Sequence, residues 1–73
     1  MTYSKPALVI FGHLVAARIT EEVAADALTR IGLAHTTRNV RAVLTAMSYE
    51  NRAYLVALSD EWVRVHGMVE VRQ

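Results

Sequence analysis

The fold of this chain is decided by residues 20–47, which read TEEVAADALTRIGLAHTTRNVRAVLTAM. In the first half of this stretch the apolar residues recur at steps of three and four, which predicts one buried stripe of an α-helix. The members of this stripe are Val23, Ala24, Ala27, Leu28 and Ile31. Thr20 can cap the N-terminus of this helix, and Gly32 is placed to end it.

The second half of the stretch predicts another helix after a short corner. Either Thr36 or Thr37 can cap this helix. Its inner face carries the four apolar residues Val40, Val43, Leu44 and Met47. At about 100° per residue the opposite face carries Arg38, Ala42 and Thr45, with Arg41 on its flank. An outer face of small and arginine side chains suits the major groove of DNA.

The residues before this stretch predict one more helix, Pro6–Ala17. Pro6 is tolerated there, because the first turn of a helix leaves its backbone N–H groups unpaired in any case. Apolar residues at helical spacing then form one side, namely Leu8, Phe11 and Val15. The alternative is a buried strand over Ala7–Phe11 that ends at Gly12, because a short apolar run does not distinguish the two periods. We favour the helix, because the apolar pattern continues past Gly12 without a turn signal.

After residue 52 the apolar period changes from helical to two, which predicts a β-hairpin. The first strand covers Ala53–Leu58, the turn covers Ser59–Glu61, and the second strand covers Trp62–His66. Pairing the strand ends across this turn directs the alternating apolar residues of both strands to one face, as a half-buried hairpin requires. Residues 68–72 would extend the second strand or form an arm.

Three helices followed by a hairpin resemble the winged helix-turn-helix domain, and the resemblance covers nearly the whole chain. It rests mainly on packing positions, which are here Phe11, Leu14, Thr20, Val23, Ala24, Leu28, Ile31, Gly32, Leu33, Thr37, Val40, Val43, Leu44 and Met47. The resemblance implies an α+β fold with a single domain over residues 1–73, in which the β-hairpin is the wing.

In that superfamily the third helix enters the major groove of duplex DNA. The expected DNA contact surface consists of Thr36, Thr37, Arg38, Arg41, Thr45 and Arg52. Arg38 would read bases, since a guanidinium can make a bidentate contact with guanine. Thr36, Thr37 and Arg41 would hold phosphates. We therefore expect a small duplex-DNA-binding protein of bacterial or phage type, acting as a transcriptional regulator or an architectural factor.

The composition predicts a homodimer. Of the 73 residues 53% are hydrophobic, the formal net charge is only +1, and there is no cysteine. A domain this short buries about 60% of the surface of its unfolded chain, so part of the apolar surface is expected to cover a second copy. The positive charge is concentrated in residues 35–52, where three arginines stand against one glutamate.

The sequence contains no motif for catalysis, for a cofactor or for a metal ion. His13, His35 and His66 are not spaced as metal ligands, and no cysteine completes a ligand set. Ser48, Asp60 and His66 have the residue types of a catalytic triad, but no glycine elbow surrounds the serine. No phosphate-binding glycine loop occurs. We therefore expect a protein that is not an enzyme and has no cofactor and no metal.

An acidic wing tip favours an alternative function. Asp60 and Glu61 would form this tip, and phosphates would repel their carboxylates. The alternative is a protein-interaction module on the same scaffold, such as a viral inhibitor or an assembly subunit, that binds its partner through Leu55 and Trp62 of the hairpin. The apolar run Ala7–Ala17 is too short to span a bilayer and precedes no signal cleavage site. We therefore expect no membrane contact and a cytoplasmic location.

Overall fold

A computed structural model describes residues 3–67, and within this range the regular elements are four α-helices. They are α1 (Lys5–Val15), α2 (Glu21–Arg30), α3 (Thr37–Ala46) and α4 (Tyr49–His66). The first helix is central, because it packs against both α2 and α4, while α3 packs mainly against α2. The buried core is formed by Ala7, Ile10, Phe11, Leu14, Ala24, Ala25, Ala27, Leu28, Val40 and Leu55.

The helices predicted before residue 48 are confirmed, with small shifts of their ends. The hydroxyl of Thr20 accepts a hydrogen bond from the Val23 backbone N–H at 3.2 Å and so caps α2. Gly32 has a φ of +92°, and its N–H donates to the Thr29 carbonyl at 3.0 Å. The Leu33 N–H donates to the Leu28 carbonyl at 2.9 Å, which completes a Schellman motif at the end of α2.

The predicted hairpin is wrong, and with it the α+β winged fold. Residues 49–66 form the single helix α4, and residues 3–67 contain no strand. Ser48 starts this helix, because its hydroxyl accepts a hydrogen bond from the Asn51 backbone N–H at 3.1 Å. No glycine or proline interrupts the segment before Gly67, which ends the helix in the left-handed conformation. The predicted extension over residues 68–72 lies outside the described residues.

Burial along α4 follows a helical period that the alternating apolar residues concealed. Leu55 and Ser59 are buried, while Leu58 and Trp62 are half-buried, so the inner residues recur at steps of three and four. Ser59 and the two acidic residues after it suggested a turn. In the structure the small Ser59 side chain instead faces α1, where a larger side chain would not fit.

Close approach of two backbones explains this small residue. A Cβ atom added at Gly12 of α1 would clash with the carbonyl oxygen of Leu55 and would lie 2.8 Å from the Ser59 Cβ. Arg18 adds polar contacts at the same place, because its Nη1 donates to the Ser59 hydroxyl at 2.9 Å and its Nη2 forms an ion pair with Asp60. Gly12 and Ser59 therefore allow α1 and α4 to pack closely, and Arg18 binds α4 at one end of this contact.

His13 of α1 is a buried titratable residue. Its side chain has no exposed surface, and neither ring nitrogen has a hydrogen-bond partner among the described residues. Burial lowers the pKa of His13 below the ordinary value of 6.5; the nearby Arg18 guanidinium lowers it further, and Asp60 opposes this shift. The imidazole is therefore neutral at neutral pH.

Candidate nucleic-acid interface

Helix α3 begins with a complete capping box. The Thr36 hydroxyl accepts a hydrogen bond from the Asn39 backbone N–H at 3.1 Å, and the Asn39 side chain accepts one from the Thr36 backbone N–H at 3.3 Å. Thr36 is thus the cap, and Thr37 is the first residue of the helix. The first turn contains no acidic residue, so the positive end of the helix dipole has no carboxylate from its own turn to neutralise it.

The two faces of α3 are disposed as the sequence predicts. Val40 is fully buried, and Val43, Leu44 and Met47 are half-buried on the inner side. The opposite side is exposed and carries Arg38, Ala42 and Thr45. The apolar residues therefore hold the helix against the body of the protein, and a row of small and polar side chains faces the solvent.

Arg38 is the available cation of this face. Its side chain is exposed and makes no hydrogen bond or ion pair with any residue in the range 3–67. It lies in the first turn of α3, next to backbone N–H groups that have no partner within the helix. A cationic side chain beside the N-terminus of a helix is an arrangement that can bind a phosphate group.

Arg41, in contrast, is engaged within the protein. Its Nη2 and Nε atoms donate to Glu21 Oε1 at 2.6 and 3.2 Å, so the guanidinium joins α3 to the first turn of α2. The hydrogen bond from Arg41 lowers the pKa of Glu21, and the carboxylate raises the pKa of Arg41. Much of the positive charge that the sequence predicted for this face is therefore neutralised by α2.

Three other predicted contact residues also have structural roles. Thr36 uses its hydroxyl for the capping box, and Thr45 donates to the Arg41 carbonyl at 2.9 Å. Arg52 belongs to α4, where it is half-buried and donates to the Leu44 carbonyl near the C-terminal end of α3. The structure therefore brings Thr36, Thr37 and Arg38 together at one end of α3 and places Arg52 near the other end.

The corner between α2 and α3 is anchored to the start of the chain. His35 packs edge-on against Phe11, with 6.3 Å between ring centroids, and its Nε2 lies 3.4 Å from the Tyr3 hydroxyl. The His35 ring is half-buried and packs into the body of the protein. The connection, residues 31–36, is longer than the turn of about 3–4 residues in DNA-binding helix-turn-helix motifs.

Because residues 49–66 form a helix, neither residue predicted to contact a protein partner lies on a hairpin surface. Leu55 is only 4% exposed and belongs to the core. Trp62 is half-buried, and its ring stacks near His66 with 3.9 Å between centroids. The acidic wing tip is also absent, because Asp60 lies in α4 and pairs with Arg18. Residues 53–66 therefore do not form the expected hairpin contact surface.

The structure instead shows an apolar groove that the hairpin interpretation concealed. The groove has a volume of about 510 Å³ and lies between α1, α3 and α4. Its lining is formed by Tyr3, Leu8, Val43, Ala46, Met47, Asn51, Tyr54 and Leu55, none of them charged. The groove forms because α4 is a helix that follows α3. The interpretation of the same residues as two strands therefore gave no indication of it.

Residues 3–67 contain no group of three or more histidine, aspartate or glutamate side chains arranged to hold a metal ion. Within the same range no helix has the length and apolar character needed to cross a membrane. Comparisons of this chain with protein-family models, with curated proteins and with solved structures found no match. The features of residues 3–67 that bear on function are therefore the geometry of α3 and of the groove.

Proposed function

We propose that this protein binds duplex DNA through the outer face of α3, with the N-terminal end of that helix against the DNA. The observation that carries the proposal is Arg38, an exposed arginine that has no partner among residues 3–67 and lies in a helix turn without acidic residues. Ala42 and Thr45 follow on the same exposed face. Such small side chains would let the helix approach the edges of base pairs in the major groove.

The proposed roles of the two arginines differ. Arg38 contacts a base or a phosphate directly, because no partner of its guanidinium within residues 3–67 must be displaced first. Arg41 contributes less, because a phosphate would have to compete with the carboxylate of Glu21 for its guanidinium. The pair between Arg41 and Glu21 fixes α3 relative to α2 and leaves one main cation for DNA. The proposed binding is therefore weak for a single copy of the chain.

A salt titration with the wild type and two variants tests the proposal. Binding of a fluorescent duplex is followed by anisotropy for the wild type, Arg38→Ala and Lys5→Ala, the last being a control with the same change in charge on α1. The slope of log affinity against log salt should be about −0.9 per phosphate contact. Arg38→Ala should weaken binding markedly, while Lys5→Ala should change it little. Equal affinities of the two variants for the duplex would show that α3 is not part of the DNA interface.

The apolar groove favours a second candidate function, the binding of a helix from another protein. Its lining is apolar or uncharged, so the helix that fits would present an apolar face, as amphipathic helices do in other grooves. Ala46 lies at the groove and is exposed, so Ala46→Arg would block the site without disturbing the core.

A peptide experiment tests this second function. A set of amphipathic helical peptides is titrated against the wild type, Ala46→Arg and the outer-face control Ala42→Arg, with binding followed by anisotropy. Binding to the wild type and to Ala42→Arg, together with loss in Ala46→Arg, is expected. If Ala46→Arg binds the peptides as well as the wild type does, the groove is not their site.

A further inference from the structure

Helix α4 packs on one side only. Leu55 and Ser59 point into the body, while the opposite side is exposed from one end of the helix to the other. We define the α4 outer face as the exposed residues at helical spacing along this side, which are Glu50, Ala53, Tyr54, Ala57, Glu61 and Arg64. Tyr54 on this face is 59% exposed, a large value for an aromatic side chain.

Two of the three charged residues of the outer face, Glu50 and Arg64, lie at equal distances from Ala57. Glu50 lies seven residues before Ala57, and Arg64 lies seven residues after it. Neither charged side chain forms an ion pair or a hydrogen bond with another residue in the range 3–67. The face therefore has Glu50 at one end, Arg64 preceded by Glu61 at the other, and two small alanines in the middle that permit close approach of another helix.

We propose that the α4 outer face binds the same face of a second copy of this chain, with the two helices antiparallel and Ala57 on the two-fold axis. In this alignment Glu50 meets the partner subunit's Arg64, and Arg64 meets the partner subunit's Glu50. A two-fold contact forms each such pair twice. The proposal assigns the expected homodimer to a definite surface, which is separate from α3 and does not depend on DNA binding.

Other alignments of the same two helices lose this complementarity. A parallel pair would place Glu50 against the partner's Glu50 and Arg64 against the partner's Arg64, which is repulsive. Sliding the antiparallel pair by seven residues in either direction separates both oppositely charged pairs. Of these alignments, only the antiparallel one centred on Ala57 therefore pairs Glu50 with the partner's Arg64.

The absence of cysteine from the chain allows a direct test by disulfide cross-linking. In the proposed dimer the two copies of residue 57 face each other, whereas the two copies of residue 53 are offset by about 12 Å along the helices. A disulfide requires Cα atoms about 4.4–6.8 Å apart. Ala57→Cys should therefore form a covalent dimer under mild oxidation, and the matched control Ala53→Cys should not.

Each outcome of the cross-linking experiment decides the proposal. Cross-linking of Ala57→Cys alone supports it. Cross-linking of both variants would show a parallel pair and overturn the antiparallel alignment. If neither variant forms a covalent dimer on non-reducing gels, the α4 outer face is not the interface, and this holds whether or not the protein binds DNA.

Charge reversal provides a second, independent test. Glu50→Arg and Arg64→Glu should each lower the weight-average molar mass in sedimentation equilibrium from that of a dimer toward that of a monomer, because like charges then meet. The double variant Glu50→Arg with Arg64→Glu restores both opposite pairs, so it should recover the dimer. Recovery in the double variant supports the proposal. A monomeric wild type, or a double variant that stays monomeric while folded by circular dichroism, would overturn it.

Discussion

The pair α1–α4 and the pair α2–α3 are held together in different ways. In α2–α3 both helices begin at capping threonines and α2 ends in a Schellman motif, while the contact between them is made by small and medium apolar residues and by the surface pair Arg41–Glu21. In α1–α4 the contact depends on the absence of a side chain at Gly12. It also depends on the hydrogen bond between Arg18 and Ser59, which are far apart in the sequence.

This difference has a consequence for stability and for function. Local signals fix each helix of the α2–α3 pair, so single substitutions there are expected to have moderate effects. The α1–α4 pair depends on tight packing, where even one added carbon atom must displace a backbone. We therefore expect α1–α4 to determine whether the protein folds, while α2–α3 carries the exposed face that is free to contact a partner.

The largest effect is expected from Gly12→Val, which should break the α1–α4 pair. The added side chain would meet the Leu55 carbonyl and Ser59, and we expect a loss of about 3 kcal/mol in the free energy of unfolding, at the upper end of overpacking costs. Urea denaturation followed by circular dichroism measures it. Ala42→Val, which adds bulk on the exposed face of α3, is the control and should cost less than about 1 kcal/mol. Similar losses in both variants would contradict the packing argument.

A smaller effect on stability is expected from a change of pH, through the buried His13 of α1. The pKa of His13 is lowered in the folded protein, so the unfolded chain binds the proton more readily. The stability that this group contributes is therefore complete above its unfolded pKa of about 6.5 and is lost as the pH falls below that value, by at most about 1.4 kcal/mol per pH unit.

Melting curves from about pH 7.5 to about pH 5 measure the effect of His13, since most carboxylates remain ionised over this interval. The midpoint of the wild type should fall as the solution becomes more acidic. His13→Met fills the buried position with an apolar side chain and removes the titration, so its midpoint should vary less. Parallel curves for the two proteins would show that His13 does not govern the acid sensitivity.

A loss of about 1 kcal/mol is expected from Thr36→Ala in the α2–α3 pair, because the variant removes the side chain that caps α3. Thr37→Ala is a matched control, since Thr37 lies inside the helix and does not cap it. Hydrogen exchange should accelerate in the first turn of α3 for Thr36→Ala alone. Equal acceleration in both variants would mean that the capping box does not hold this end of the helix.

The smallest effect on stability is expected from Glu21→Gln, because an exposed ion pair contributes little. The melting midpoint should stay within the experimental error of the wild-type value. If the proposed DNA contact is correct, the freed Arg41 should add about one contact, so that the salt dependence becomes steeper by roughly 0.9 in slope. Glu22→Gln, which removes the neighbouring charge without releasing the hydrogen-bonded guanidinium, is the control. An unchanged slope for Glu21→Gln would exclude Arg41 from the DNA contact.

How far the sequence could predict this structure depended on the range of the interactions. Caps, the terminating Gly32 and the apolar stripes of α2 and α3 are local, so the sequence revealed these helices together with the outward position of Arg38. The pairing of Glu21 with Arg41 depends on how two helices cross, which a linear pattern does not contain. The prediction for α4 was wrong because the polar Ser59 indicated a turn, although it is buried in the structure. Ser59 is buried because Gly12 of α1 allows the two helices to approach closely.

The position of Trp62 has a practical consequence. It is the sole tryptophan of the chain, and it lies on α4 beside the His66 ring and near Lys5 at the start of α1. Its emission therefore reports on the α1–α4 side, whereas far-ultraviolet circular dichroism averages over every helix. Unfolding followed with both signals at once compares the two halves within one unlabelled sample, and a difference between the two midpoints would measure directly how strongly the halves are coupled.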